Sequence, residues 1–500
     1  MFLRGVGRAS NRTMSAAKRA QAISRHMAST STVPTTATLP DDAPVVFKSE
    51  GSVRQYILNR PAKYNALNGQ MLNILRPYVE QWASSELGKV LVGTGVGKAF
   101  CAGGDVVGVV EASTDESTRQ HAIDFFRREF ELDYILATLP KPYIVVMDGV
   151  TMGGGVGLAS HAPFRIATEN TVFAMPETKI GYAPDVGASH FLSRTDGELG
   201  TYMALTCAQL KGRAVFEHGF ATHYVPSRRI PAILERLASI DDPTMAQIDS
   251  LIEESYSEKE PDEPTSRYVG KLRTALDVAF RHSSIEKILK NLESIAKDHD
   301  DVDVRKWAVE TIEELNHRSP TSLVVALTAI RRGKSMSLKE ALQMELNFAT
   351  AYCNGASSDF ATGVTSVLLK KEKTRPEWSP STIAELNVPE VVEKFFMKYS
   401  PAQQTAPELT VPSTYGSMSP VARHPMQFAL PSEEEIRQMV VGSHGQSGAT
   451  TVTTDEVVEK FSQLRRGKGG VREKVLEVLG RKCVEVGEGK GDEKWLQWVH

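Results

Sequence analysis

Two glycine-rich turns, each set behind an apolar run, constrain the fold of this chain more than any other feature. The first is Ala99-Phe100-Cys101-Ala102-Gly103-Gly104-Asp105, and the second is Met152-Gly153-Gly154-Gly155-Val156-Gly157. Lys89-Val90-Leu91-Val92 reads as a buried strand before the first turn, and Tyr143-Ile144-Val145-Val146-Met147 as another before the second. A lone glycine cluster behind a strand is an ordinary tight turn. Here Val156-Gly157-Leu158-Ala159 continues the second turn as a short helix, whose first N–H groups lack partners and carry partial positive charge. Two such N–H groups, one from each turn, can converge on one carbonyl oxygen and stabilise the charge that develops there. Met175-Pro176-Glu177-Thr178 and Pro184-Asp185-Val186-Gly187 follow. A carboxylate beside that oxygen supplies proton transfer or nucleophilic attack. The pattern suits an enzyme acting on an acyl thioester.

The stretches Lys98–Asp105, Lys141-Pro142-Tyr143 through Gly149, and Thr151 through Leu158 resemble the crotonase (enoyl-CoA hydratase/isomerase) superfamily. Ala174 to Thr178, Ile180-Gly181 and Pro184 to Gly187 are similar to its 3-hydroxyisobutyryl-CoA hydrolase branch in particular. Ala204-Leu205-Thr206, Leu210 to Arg213, Ala221-Thr222-His223, Ser319 to Ser322 and Glu377-Trp378 extend the match, which runs from about Val45 to about Phe396. The resemblance implies an α/β fold, the ClpP/crotonase-like spiral of ββα units with a helical C-terminal part, usually assembled into homo-oligomers. It implies Gly104 and Gly154 as oxyanion-hole donors, Glu177 and Asp185 as catalytic carboxylates, and Glu129, Gly154, Glu177 and Asp185 as substrate-binding residues. The implied reaction is hydrolysis of 3-hydroxyisobutyryl-CoA in valine breakdown. Coenzyme A is then part of the substrate, with no further cofactor and no metal. Gly157 falls where hydratases carry their second catalytic glutamate, which argues against the alternative of an enoyl-CoA hydratase or isomerase.

Read without that resemblance, Glu129 lies on an amphipathic helix whose apolar stripe includes Ile123, Phe126, Phe130 and Tyr134, where a glutamate is ordinarily a solvated edge residue. The chain departs from the family pattern at Arg128, at Tyr182-Ala183, at Ala188-Ser189-His190, and in Phe360-Ala361-Thr362-Gly363, which lacks a glutamate before its glycine. His190 is left out of the site as a structural histidine. Cys101 touches the first turn without a histidine tied to it by any local motif, so it reads as packing. Lys63, Lys98, Lys370, Lys371 and Lys373 are candidates to meet CoA phosphates, with solvation as the plainer reading.

Five hundred residues exceed one typical domain, and 41% hydrophobic with 24% charged residues is ordinary for a soluble protein. Cysteines 101, 207, 353 and 483 form no paired framework and no metal spacing, so reduced thiols are expected. No apolar run reaches the ~18 residues of a membrane span, and a net charge of −3 gives no whole-chain argument for nucleic acid. Residues 1–40 contain no Asp or Glu but carry Arg4, Arg8, Arg12, Lys18, Arg19 and Arg25 among Ser, Thr and Ala. That composition predicts a mitochondrial transit peptide and hence a matrix protein.

The expected organisation is a spiral core over 41–226 and a helical part over 227–398 that completes the acyl-CoA site. In that part, Ile230–Ile240, Thr244–Tyr256, Tyr268–Phe280, Ile285–Ala296, Ser319–Ile330 and Leu338–Tyr352 read as helices. A connector over 399–431 follows, with six prolines between 401 and 431. The helical extension, 432–500, has helix starts at Ser432 and Thr453. Thioester chemistry does not need this extension, which makes it a candidate docking module. Fungal relatives of the hydrolase branch also occur as subunits of the small mitochondrial ribosomal particle. The resemblance therefore also implies a structural ribosomal role, with or without catalysis.

Overall fold

A computed structural model describes residues 43–411, 426–447, 451–487 and 494–499. The basic segment 1–40 lies outside the described residues, as do residues 412–425 of the proline-rich stretch. Ten strands build the core: β1 (Val45–Glu50), β2 (Val53–Leu58), β3 (Val90–Gly95), β4 (Ala99–Cys101), β5 (Tyr143–Met147), β6 (Val150–Met152), β7 (Phe164–Ala167), β8 (Val172–Ala174), β9 (Leu210–Lys211) and β10 (His223–Tyr224). They form two sheets, ordered β1-β2-β3-β5-β7-β10 and β4-β6-β8-β9. Three successive strand pairs, β3/β4, β5/β6 and β7/β8, each give the first strand to the larger sheet and the second to the smaller. The chain thus winds as a spiral, and within each sheet these strands run parallel.

Both faces of the larger sheet are covered, which is why its strands read as unbroken apolar runs. Val90, Val92, Ile144, Val146, Phe164 and Ile166 pack on one side with the helices Ile230–Ala238 and Met245–Glu253. Leu91, Tyr143, Val145 and Met147 point into the main core on the other. Two helices there bear on the site: α1 (Arg119–Ala137), and α2 (Gly154–Ser160), which begins inside the second glycine turn. Further along, α3 (Pro320–Gly333) is capped by Ser319, and α4 (Leu338–Cys353) is opened by a capping box between Ser337 and Glu340.

The C-terminal extension is built on the core rather than held away from it. Its helices are α5 (Glu433–Val440), α6 (Thr454–Leu464) and α7 (Val471–Lys482), the first two opened by capping boxes at Ser432 and Thr453. The part expected to be wholly helical also holds an antiparallel hairpin, β11 (Cys483–Val486) with β12 (Trp495–Trp498). The described ends of the proline-rich connector are packed as well: Leu409 is buried, and Phe428 stacks on Phe164 at 4.7 Å between ring centres.

Buried ion pairs fix the extension. Lys468 pairs with Glu253, which together with Asp249 also faces His223. Lys474 reaches Asp196 at 2.7 Å. Arg481, almost wholly buried, meets Glu433 at 2.8 Å, Glu477 at 3.1 Å and Asp277 at 3.6 Å. Replacing Arg481 by methionine keeps the packing stem but removes the charge shared by three partly buried carboxylates, although Glu433 keeps Lys482, Asp277 keeps Arg273 and Glu477 keeps the Gly270 N–H. The expected loss is on the order of 2 kcal/mol, seen as a lower urea midpoint. An unchanged midpoint would mean that the extension is held by its apolar contacts alone.

Candidate active site

Parallel pairing of β4 with β6 brings the two glycine turns side by side, because each turn follows its strand at the same sheet end. A β-carbon added at Gly103 would lie 3.8 Å from the Gly154 nitrogen. Gly103 and Gly153 both take positive φ, 112° and 48°, a region that disfavours any side chain. Leu67 fixes the first turn: its N–H donates to the Gly103 carbonyl, and its carbonyl accepts from Asp105 N, both at 2.7 Å. Gly104 between them therefore turns its N–H to the opposite side. Gly154 is the first residue of α2, whose opening N–H groups have no intrahelical partner. Neither N–H donates to another of the described residues.

Carboxyl groups gather beside these donors. Glu177 opens a short 3-10 turn behind β8, and its Oε1 lies 3.0 Å from where a Gly153 β-carbon would stand. Glu129 of α1 reaches under Gly154, with Oε1 2.2 Å from the β-carbon position there, so any side chain at 154 would strike it. Asp185 lies close enough to feel the charges of both Glu129 and Glu177. Its Oδ2 accepts a hydrogen bond from the Tyr182 hydroxyl at 3.0 Å. The structure thus brings together Gly104, Gly154, Glu129, Glu177 and Asp185.

Three further residues belong to this buried cluster. Tyr182 is one of the departures from the family pattern, and it is what holds Asp185. Its ring stacks on Phe126 and packs against Tyr352 and Phe360. Asp133, one turn along α1 from Glu129, is fully buried, with Oδ2 2.6 Å from the β-carbon position of Gly157. That i, i+4 spacing was the available sequence signal for it. Glu345 of α4 accepts from Gly187 N at 2.6 Å and from Ser189 N at 2.9 Å, and also from the Ser189 hydroxyl. It pins the loop that follows Asp185. Nothing in the sequence marked it, since it sits in an ordinary helical pattern.

Electrostatics follow from burial. Loss of solvent pushes Glu177 up to about 8, and pushes Glu129 up to about 8 with help from the Glu177 charge. Asp185 and Asp133 are held well above the usual carboxylate range by burial and then by their acidic neighbours. Glu345, despite its three donors, is raised by burial to about 7. Cys101 is buried, its thiol pushed up to about 12, and its sulfur lies 3.6 Å from the Gly103 carbonyl, as a packing residue would. His190, pushed down to about 4 by burial, packs against His161 rather than the carboxyls. Arg128 turns away from Glu129, donating to the Asp124 carbonyl and to Asn73. It lines a cleft of about 270 Å³ with Asn68, Asp105, Val109 and Phe125, which opens beside the first turn.

The sequence profile described as enoyl-CoA hydratase/isomerase matches residues 53–396. The small ribosomal subunit protein mS47 of Neurospora crassa is 39% identical over 470 residues, covering 92% of this chain and 88% of that protein. The mitochondrial 3-hydroxyisobutyryl-CoA hydrolase of Homo sapiens is 36% identical over 343 residues, 68% of this chain and 86% of the hydrolase. That of Danio rerio is 38% identical over 354 residues, 70% and 89% respectively. Among solved structures, a carnitinyl-CoA dehydratase from Mycobacterium thermoresistibile superposes with a TM-score of 0.64 at 31% identity, over 74% of this chain and 99% of that one. An enoyl-CoA hydratase from Rhodobacter sphaeroides gives 0.62 at 28%, over 74% and 100%.

A raised carboxyl makes stability depend on pH with a definite sign. Glu129 contributes fully below its unfolded value of about 4.3, and that contribution is lost as pH rises through the folded value of about 8. Glu129→Gln removes the titration. The variant should gain stability over the parent as pH rises from 5 to 8, on the order of 1–3 kcal/mol at the upper end. Melting curves at several pH values check this; a difference that does not vary with pH would contradict it.

Proposed function

We propose that this chain, which belongs to the enoyl-CoA hydratase/isomerase family, hydrolyses a short branched 3-hydroxyacyl-CoA thioester. The substrate favoured is 3-hydroxyisobutyryl-CoA, released as 3-hydroxyisobutyrate and CoA in the mitochondrial matrix. The observation that carries this reading is the convergence of Glu177 and the Tyr182-held Asp185 on two free N–H groups, with no side chain at 157. The similarity to mitochondrial hydrolases over 66–70% of the chain supports the same substrate class.

In this mechanism the thioester oxygen sits between the N–H groups of Gly104 and Gly154. Each donor stabilises the tetrahedral intermediate by roughly 3–4 kcal/mol. Glu177, as carboxylate, delivers oxygen to the carbonyl carbon, either by deprotonating a water or by attacking first and forming an anhydride that water opens. Asp185 orients that water or returns a proton. The thiolate leaves with little acid help, because a thiol ionises at about 8.5. The cleft lined by Arg128 offers a path for the CoA portion toward the first turn.

A second reading is favoured by one observation. The similarity to the ribosomal protein spans 92% of the chain, whereas the hydrolases match 66–70% of it. The chain would then serve in the small mitochondrial ribosomal subunit, with the extension as the added part. The core partners of the extension's ion pairs, Asp196, Asp249, Glu253 and Asp277, are not site carboxyls, so this role does not exclude catalysis.

Thiol release by the purified chain tests the enzyme directly, with 3-hydroxyisobutyryl-CoA beside crotonyl-CoA. Glu177→Gln should lower turnover by about 10³-fold or more while acyl-CoA still binds. Equal activity in that variant would remove Glu177 from the mechanism. No release by the folded parent would leave the ribosomal role as the leading account.

A further inference from the structure

The buried acidic cluster contains carboxyl oxygens that the described residues leave without partners. Neither Oδ1 nor Oδ2 of Asp133 accepts a hydrogen bond from any described residue, and nor does Oε1 of Glu129. Both side chains lie on the same face of α1, one turn apart, among the buried rings of Phe126 and Phe130. Asp133 is wedged in place: the point where a Gly157 β-carbon would stand is 2.6 Å from its Oδ2 and 2.6 Å from Cβ of Val186, next to Asp185. Gly157 therefore does more than lack a side chain; its bareness makes room for this carboxyl.

Four polar groups whose fields reach Asp133, those of Tyr56, Tyr143, Asp185 and Glu345, are already engaged. The Tyr56 and Tyr143 hydroxyls bond each other at 2.6 Å, and Tyr143 also donates to the Leu158 carbonyl. Glu345 takes its donors from Gly187 and Ser189, and Asp185 takes the Tyr182 hydroxyl. A buried polar atom without a partner costs ~1–3 kcal/mol, so Asp133 and Glu129 call for a ligand group that bonds to them. Buried among other acids, they are held in the neutral form. A neutral carboxyl both donates and accepts, which matches an alcohol and not a cation.

Resting on the hydrolase reading, we propose that Asp133, together with Glu129, binds the hydroxyl of the acyl chain and makes the site selective for 3-hydroxyacyl thioesters over unsubstituted ones. Asp133 is a specificity-determining residue here, apart from the chemistry at Glu177.

The test compares kcat/KM for 3-hydroxyisobutyryl-CoA and isobutyryl-CoA in the full chain, Asp133→Asn and Asp133→Leu. The parent should prefer the hydroxyl substrate by about 10-fold or more. Asp133→Asn, which keeps a donor and an acceptor, should retain most of that preference. Asp133→Leu should abolish it, chiefly through the hydroxyl substrate. A parallel fall in both substrates, or an unchanged ratio, would make Asp133 a packing residue and overturn the proposal. Should Asp133→Leu fail to fold, Gly157→Ala offers a second route, since its methyl would crowd Oδ2 and should lower the ratio. Affinities for non-hydrolysable thioether analogues, with and without the hydroxyl, read the same preference without turnover. A folded parent that hydrolyses neither thioester, yet binds the hydroxyl analogue more tightly in an Asp133-dependent way, would end the hydrolase reading and leave the hydroxyl subsite standing. Equal binding of the two analogues would end the subsite.

Discussion

Five carboxyl groups share one buried cluster, and the scarcity of hydrogen-bond donors there governs the rest of the site. Glu345 takes two backbone N–H groups and a hydroxyl, and Asp185 takes one phenol, while Asp133 takes none from the described residues. Glu129 and Glu177 each keep a buried oxygen without a partner among the described residues. In so dry a space the groups cannot all ionise together, because each new charge repels the next. The gradient of satisfaction sorts them into parts: Glu345 as a clamp on the loop behind Asp185, Asp185 as an oriented group, and Glu177 beside the free N–H groups of the two turns. The cluster costs stability at neutral pH, which is the usual condition of a working site.

The spiral makes that concentration of charge possible. Parallel β4 and β6 deliver two turns to one edge, and α1 crosses beneath them with Glu129 and Asp133 on its inner face. The small residues of the second turn are then dictated by crowding. A β-carbon at Gly155 would stand 2.2 Å from the Cys101 carbonyl oxygen, and one at Gly154 would strike Glu129.

Much of this was legible in the sequence, where local rules carry it. β5 lies over Tyr143–Met147 as its apolar run predicts, and the helices expected from Ile230 onward begin within two residues of their predicted starts. Caps at Ser319, Ser432 and Thr453 fell where serine or threonine preceded a helical pattern. Long-range facts were harder to read. The helix Val302–His317 went unrecognised, and the hairpin of β11 and β12 interrupts a part expected to be helical. Tyr182 looked like a mere departure because its phenol gains meaning only through contact with Asp185. Glu345 lies 158 residues from Gly187, to which it bonds, and no local pattern reports such a pairing.

In the proposed hydrolase mechanism, a carboxyl kept largely protonated by burial must lose its proton before CoA can be released. The most direct measurement is the pH dependence of kcat for CoA release from 3-hydroxyisobutyryl-CoA between pH 5 and 9. Such a mechanism requires a rate that climbs across neutrality toward a plateau, with an apparent value near 8 set by Glu177 and its acidic neighbours. A rate already at its plateau at pH 5 would contradict it, because the working group would then be an ordinary solvated carboxylate.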